Sequence, residues 1–341
     1  MHQRFHMHRA EPVPQLAVTV RARRELVFPE SAPALWPHVR AASGLCWFEG
    51  RLHIVQDDAS SIARLTPEPF ALDSVSLPTR SDGALLFDAR TGNKQHKPDL
   101  ESCVARRGPD GPRLFGIGSG SGPARTALLS ARPFTAGLAC AWVEVPALYA
   151  ALASHPGFLS SELNIEGALD LGTHLRLFQR SNGVPLAQTP PVCASVDLPW
   201  DALLAYLDGT CADLPPISGL RHYVLPSIEG VRLTITCAQR SASGDIFLLA
   251  SAEASPNAHD DGVVLGSAVG KVRGDTIRWG LLCDESGAVL REKAEGMAEK
   301  PGAPQTFFVV FDPDDADRPA LLAELHVDDL VAESPPNHAL S

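Results

Sequence analysis

The chain has 341 residues, 45% of them hydrophobic and 20% charged, a globular balance that excludes a disordered chain. Its net charge is −11 and no Lys/Arg-rich run occurs, so a phosphate backbone would be repelled and nucleic acid is not expected as a partner. No apolar run approaches the roughly 20 residues that span a bilayer, and the 29 prolines and 27 glycines favour many turns and short strands over long helices.

From the start, "MHQRFHMHRAEPVPQ" has no apolar h-region, so no secretory signal is read there. Residues 1–17 are expected as a flexible tail, 18–335 as one domain and 336–341 as a second tail. The seven cysteines (Cys46, Cys103, Cys140, Cys193, Cys211, Cys237, Cys283) include no C-x-x-C pair. An odd, dispersed set reads as reduced, mostly buried thiols, and a cytoplasmic location is expected.

Strand-like segments then recur along the chain. "RRELVF" (Arg23–Phe28) is the first, followed by "ASGLCW", "RLHIVQDD", "SIARLTP" and "GALLFDA". The next set is "DLESCVA", "PRLFGIGSG" and "CAWVEVP", with a short helix expected over 146–155. "LNIEGALD", "HLRLFQRSNG" and "CASVDLP" follow, with a helix over 199–208 and then "LRHYVLP". "PSIEGVRLT", "DIFLLASAE", "SAVGKVRG" and "TIRWGLLCD" form a further set, and "KAEGMAE", "TFFVVFDPDD" and "LLAELHV" the last. Each run is short, rich in β-formers and ends in polar or small residues, as strands joined by hairpins do.

Aligned on their acids, the sets repeat. Glu101, Glu166, Glu229 and Glu295 fall in register, each followed by Gly or Ser, and Ser43 with Gly44 stands at the corresponding place in the first set. The spacings are 58, 65, 63 and 66 residues. Units of this length with four strands each predict an all-β β-propeller, whose period normally runs from about 40 to 50 residues, lengthened here by the helical insertions. Five blades are predicted, with Arg23–Phe28 closing the last; six remain open, since a further anchor could hide in 29–42 or near Ser218.

In such a ring the innermost strands run along the channel, so the repeated acids would surround one axis. Close carboxylates repel, each pair by roughly 1 kcal/mol in water and by more when desolvated. Three remedies are open: a bound cation such as Ca²⁺, which takes six to eight oxygens; neutralisation by Lys97, Lys293 or neighbouring arginines; or hydrogen bonds that staple blade to blade. Glu101, Glu166, Glu229 and Glu295 are therefore the candidate metal ligands.

"GNKQHKPDLES" brings Lys94, His96, Lys97 and Asp99 up to Glu101, a group able to bind a phosphate, shuttle a proton or simply neutralise the ring. Lys94, His96, Lys97, Asn164 and Lys293 are the candidate ligand-binding residues, and His96, Glu166 and Glu229 the catalytic candidates. "QDD" (Gln56–Asp58), "NAHDDG" (Asn257–Gly262) and "DPDD" (Asp312–Asp315) read as acidic hairpins on one face, a cation mouth or ordinary solvated turns. "GIGSGSG" lacks the Gly-Lys-Ser/Thr ending of a phosphate loop and reads as a hairpin turn. Neither G-x-S-x-G nor H-E-x-x-H occurs, which disfavours a serine hydrolase or zinc protease.

The [Leu/Ile/Ala]-Glu-[Gly/Ser] motif at 100–102, 165–167, 228–230 and 294–296 resembles the signature of phytase-like ("esterase-like activity of phytase") propellers. It is also similar to that of the SdiA-regulated family of bacterial propellers. The resemblance implies an acidic channel and calcium-assisted phosphoester or ester hydrolysis. It departs at Ser43 and in the blade count, since those families are usually six-bladed. The expected function is a channel that holds a divalent cation or small ligand, with metal-assisted hydrolysis of a phosphoester, ester or lactone as its enzymatic form and no organic cofactor. The competing reading is a non-catalytic scaffold that binds a protein partner, with the glutamates as staples, and a monomer is expected under either reading.

Overall fold

In the computed structural model, residues 6–80, 83–135, 137–188, 190–255 and 262–330 are described. These residues are mostly β, with two short α-helices among them. The strands are β1 (His6–Ala10), β2 (Leu16–Glu25), β3 (Ala42–Phe48), β4 (Arg51–Gln56), β5 (Ser61–Thr66) and β6 (Ala71–Ser76). Next come β7 (Leu100–Gly108), β8 (Gly111–Gly118), β9 (Ala127–Phe134) and β10 (Gly137–Glu144), then helix α1 (Pro146–Ser154). The third stretch holds β11 (Ile165–Asp170), β12 (His174–Gln179), β13 (Cys193–Pro199), α2 (Trp200–Leu207) and β14 (Ser218–Val224). A small hairpin, β15 (Ser227–Ile228) and β16 (Val231–Arg232), precedes β17 (Thr234–Arg240), β18 (Ile246–Ala254), β19 (Val263–Arg273) and β20 (Thr276–Cys283). The last are β21 (Lys293–Glu299), β22 (Thr306–Asp312) and β23 (Leu321–Asp329).

These strands pair as antiparallel meanders: β3 to β6, β7 to β10, β11 to β14, β17 to β20, and β21 to β23 with β2 as the outer strand. The first strands touch in a cycle, β3 against β7, β7 against β11, β11 against β17, β17 against β21 and β21 against β3. The arrangement is β-propeller-like.

Period-two alternation explains why the meanders stack face to face. In β22, Phe307, Val309 and Phe311 enter the apolar layer shared with β17–β20, whereas Phe308 and Val310 enter the layer shared with β3–β5. Both faces are buried, so the strand reads as one unbroken apolar run. The same holds around the cycle, with further layers between β3–β6 and β7–β9, between β7–β9 and β11–β13, and between β11–β14 and β17–β20. Helices α1 and α2 add Leu148, Leu152, Trp200 and Leu203 to the layer between β7–β9 and β11–β13.

The N-terminus departs from the expected tail. Residues 6–10 form β1, which pairs parallel to both β14 and β20, and residues 16–25, rather than 23–28, form the strand that pairs with β23. Strand β2 also pairs parallel with β20 through Val18 and Thr19. Residues 6–25 thus tie together the outer edges of three meanders, edges that would otherwise present unpaired N–H and C=O groups.

Two further expectations shift. The segment at Cys140 is the outer strand β10 and not a third strand; the third is β9, while "GALLFDA" forms no strand and β6 completes its meander. The second tail (336–341) and Asn257–Asp261 of "NAHDDG" lie outside the described residues.

Candidate functional site in an acidic channel head

Each innermost strand carries one β-bulge, at Ser43, Glu101, Glu166, Thr236 and Glu295. A bulge leaves one residue outside the ladder and re-aims its side chain. This bulge is the physical content of the sequence repeat, and it puts Glu101, Glu166 and Glu295 at the same end of the ring. Glu166 and Glu295 are each 2% exposed, and Glu101 is half-buried.

Glu229 is not among them. It sits with Gly230 at the centre of the β15–β16 hairpin, at φ +49° and +85°, the left-handed pair that a two-residue turn demands. Its exposed carboxylate pairs with Arg291 at 2.6 Å. Thr236, seven residues on, takes the bulge position, and its hydroxyl donates to the Ala294 carbonyl at 2.6 Å. Glu-Gly recurs there because turns favour glycine, not because the channel needs an acid.

Three of the cations at this end bridge neighbouring meanders: Lys97, Arg180 and Lys293, the last through Glu253 at 3.8 Å. Lys97 Nζ lies 2.5 Å from Asp57 Oδ2 and 2.6 Å from Asp99 Oδ1. Arg125 Nη1 donates to Asp99 Oδ2 at 3.0 Å. Arg180 donates to Glu166 Oε1 (3.1 Å), Glu253 Oε2 (2.7 Å) and Thr234 Oγ1 (3.1 Å). Lys293 Nζ lies 3.0 Å from Glu295 Oε1 and 3.4 Å from Asp314 Oδ1. Asn164 Nδ2 donates to Glu166 Oε1 at 2.7 Å.

Charge nevertheless does not balance. Asp57, Asp99, Glu101 and Glu166, with Glu253, Glu295, Asp312 and Asp314, face four cations: Lys97, Arg125, Arg180 and Lys293. Burial, together with the neighbouring acids, pushes Glu101 and Asp312 well above the carboxylate range and raises Glu166; burial likewise carries Glu295 up to about 8. Glu253 goes the other way, down to about 2, because Lys293, Arg180 and a backbone N–H outweigh its burial. Burial first, and the neighbouring acids second, thus favour the protonated form of these four acids.

Several oxygens at this head lack a hydrogen-bond partner among the described residues. Glu166 Oε2 and Glu295 Oε2 are buried and unpartnered. The carboxylate of Glu101 has no ion pair, yet it offers an oxygen within 4.8 Å of oxygens of Asp57 and Asp99. Beside them, a cleft of about 260 Å³ is lined by Arg40, Asp57, Asp58, Lys94, Lys97 and Asp312, among others.

Of the residues singled out in the sequence, Glu101, Glu166, Glu295, Lys97, Asn164 and Lys293 meet at this head. Lys94 lines the cleft. His96 is exposed, its Nε2 3.3 Å from Gln95 Nε2. Arg180, Glu253 and Thr236 had not been singled out. Arg180 directly follows the end of β12 just as Asp57 follows the end of β4, and that shared register was the available signal.

Residues 38–327 match the Family of unknown function (DUF6929). The chain belongs to that family. No curated protein matches it. Among solved structures it is similar to a GH43 β-1,3-galactosidase, at 10% identity and a TM-score of 0.49 over 89% of this chain and 60% of that one. A streptogramin B lyase aligns at 10% identity and a TM-score of 0.39 over 91% and 98% of the two chains. Regucalcin of Agrobacterium tumefaciens, a calcium-binding protein, aligns at 14% identity and a TM-score of 0.36 over 92% and 99%. The chain thus spans about 60% of the length of the galactosidase structure. At these identities and scores the structures bear on no question of chemistry.

Proposed function

We propose that the chain is a five-bladed propeller whose acidic channel head holds a divalent cation, with Ca²⁺ the ion its donors suit. The observation that carries this reading is Glu101, a carboxylate without a direct partner among the described residues, set within 4.8 Å of two further carboxylates. The unpartnered oxygens of Glu166 and Glu295 supply a second, buried face. The donors are all oxygens, the set that hard cations take and that copper or zinc does not prefer. A divalent ion would displace protons from the raised acids and relieve the charge surplus in one step. The bridges made by Lys97, Arg180 and Lys293 support the staple role for the remaining oxygens, so the two roles divide between atoms of the same residues.

Metal-assisted hydrolysis of a phosphoester, ester or lactone is the enzymatic form of this reading, as the phytase-like resemblance implies. Substrate would enter by the cleft of about 260 Å³, where Lys94 suits an anionic group. Calorimetric titration with Ca²⁺ and Mn²⁺ tests the proposal. One site should appear in the wild type and in Glu229→Gln, and should be lost in Glu101→Gln. An absence of heat, together with an unshifted melting curve, would leave the acids as staples only.

A further inference from the structure

At the opposite end from the acids, the innermost strands enclose a cavity of about 440 Å³. Its wall carries three thiols, Cys46 of β3, Cys103 of β7 and Cys237 of β17. All are free, and each is at most 8% exposed. They come from three different meanders, so ring closure and not sequence spacing brings them to one wall.

Cys46 and Cys103 meet. Cys103 Sγ lies 3.9 Å from the carbonyl oxygen of His53, and His53 is the residue opposite Cys46 on the β3–β4 ladder. Both side chains enter the same apolar layer. Gly44 permits the approach: a Cβ there would stand 2.8 Å from Cys103 N and Ser102 Cα, so any side chain would force β3 and β7 apart.

One other group at the wall is unmatched. Ser102 is 3% exposed, and its hydroxyl has no hydrogen-bond partner among the described residues. A buried hydroxyl without a partner asks for a ligand. Arg240 also lines the cavity, but as an exposed residue.

We propose that this end of the channel binds a thiophilic monovalent d¹⁰ cation, Cu(I) or Ag(I) in class, through the sulfurs of Cys46 and Cys103. Soft thiolates select such ions over the hard cations suited to the acidic end, and two sulfurs suffice for a linear complex. Binding exchanges two S–H protons for one metal–sulfur pair of bonds; no electron is transferred. The two thiolates and one M⁺ leave a single surplus negative charge.

The test uses the reduced full-length protein and the Cu(I)–bicinchoninate complex under anaerobic conditions. The wild type should withdraw one equivalent of Cu(I). A variant with Cys140, Cys211 and Cys283 all changed to Ser should do the same, and Cys103→Ser should weaken the affinity by at least about tenfold. Because Cys103→Ser can disturb packing, X-ray absorption on the triple-serine variant provides a second reading, with two sulfurs expected around copper. Retention of Cu(I) by bicinchoninate, loss of binding in the triple-serine variant, or a first shell without sulfur would each overturn the proposal and leave the thiols as small core side chains.

Discussion

Arg180 Nη1 and Glu166 Oε1 stand 3.1 Å apart at the channel head, both side chains at most 3% exposed. The same guanidinium reaches Glu253 on the neighbouring meander at 2.7 Å, so one buried cation joins two sheets. Removing one partner from such a pair leaves an uncompensated buried charge, typically a loss of about 3–5 kcal/mol. Arg180→Met is expected to cost that much in urea unfolding, with an unchanged m-value. Glu166→Gln keeps the bond to Glu253 and should cost less, about 1–3 kcal/mol.

Glu229 provides the contrast. Its pair with Arg291 is more than half exposed on both sides, and exposed pairs contribute about 0–1 kcal/mol. Glu229→Gln should therefore move the urea midpoint by no more than about 0.5 kcal/mol in equivalent stability. It should leave cation binding unchanged, whereas Glu295→Gln should weaken it.

The repeated layout of short apolar runs was legible because these strands are buried on both faces. "TFFVVF" advertises that directly, and the helices at Pro146–Ser154 and Trp200–Leu207 lie inside the expected spans. The acids were less legible. Glu-Gly encodes a bulge at Glu166 and Glu295 but a hairpin turn at Glu229, and the tripeptide alone does not separate them; only the ladder register does. A similar ambiguity misplaced Cys140, since "CAWVEVP" and "CASVDLP" spell one pattern for an outer strand and a third strand. Arg180 was hidden because a lone basic residue after a strand reads as a solvated turn until the ring closes over it.

The N-terminal strands should matter more than a tail would. Deleting residues 1–15 removes β1 and uncovers the outer edges of β14 and β20. Exposed edges template intermolecular pairing. The truncated protein should melt lower and show concentration-dependent association by light scattering, while a fully monomeric, unshifted variant would deny β1 its clasping role.

The metal-free protein should lose stability on both sides of an optimum, for opposite reasons. Burial lowers His53 from 6.5 to about 4, so the unfolded chain binds more protons between those values and stability falls as pH drops through that window. Burial raises Glu295 from 4.5 to about 8, so the folded state binds more protons there. That contribution is complete below 4.5 and is lost as pH rises through 8. His53→Gln should flatten the acid limb of a melting-temperature profile and Glu295→Gln the alkaline limb. Ca²⁺ should flatten only the alkaline limb.

An anomalous difference map from crystals soaked in Mn²⁺ addresses the central claim most directly. The account predicts a single strong peak at the channel head, within coordination distance of a Glu101 oxygen and bordered by Asp57 or Asp99. A map without a peak there, or with manganese only on exposed acids such as Glu229, would contradict it.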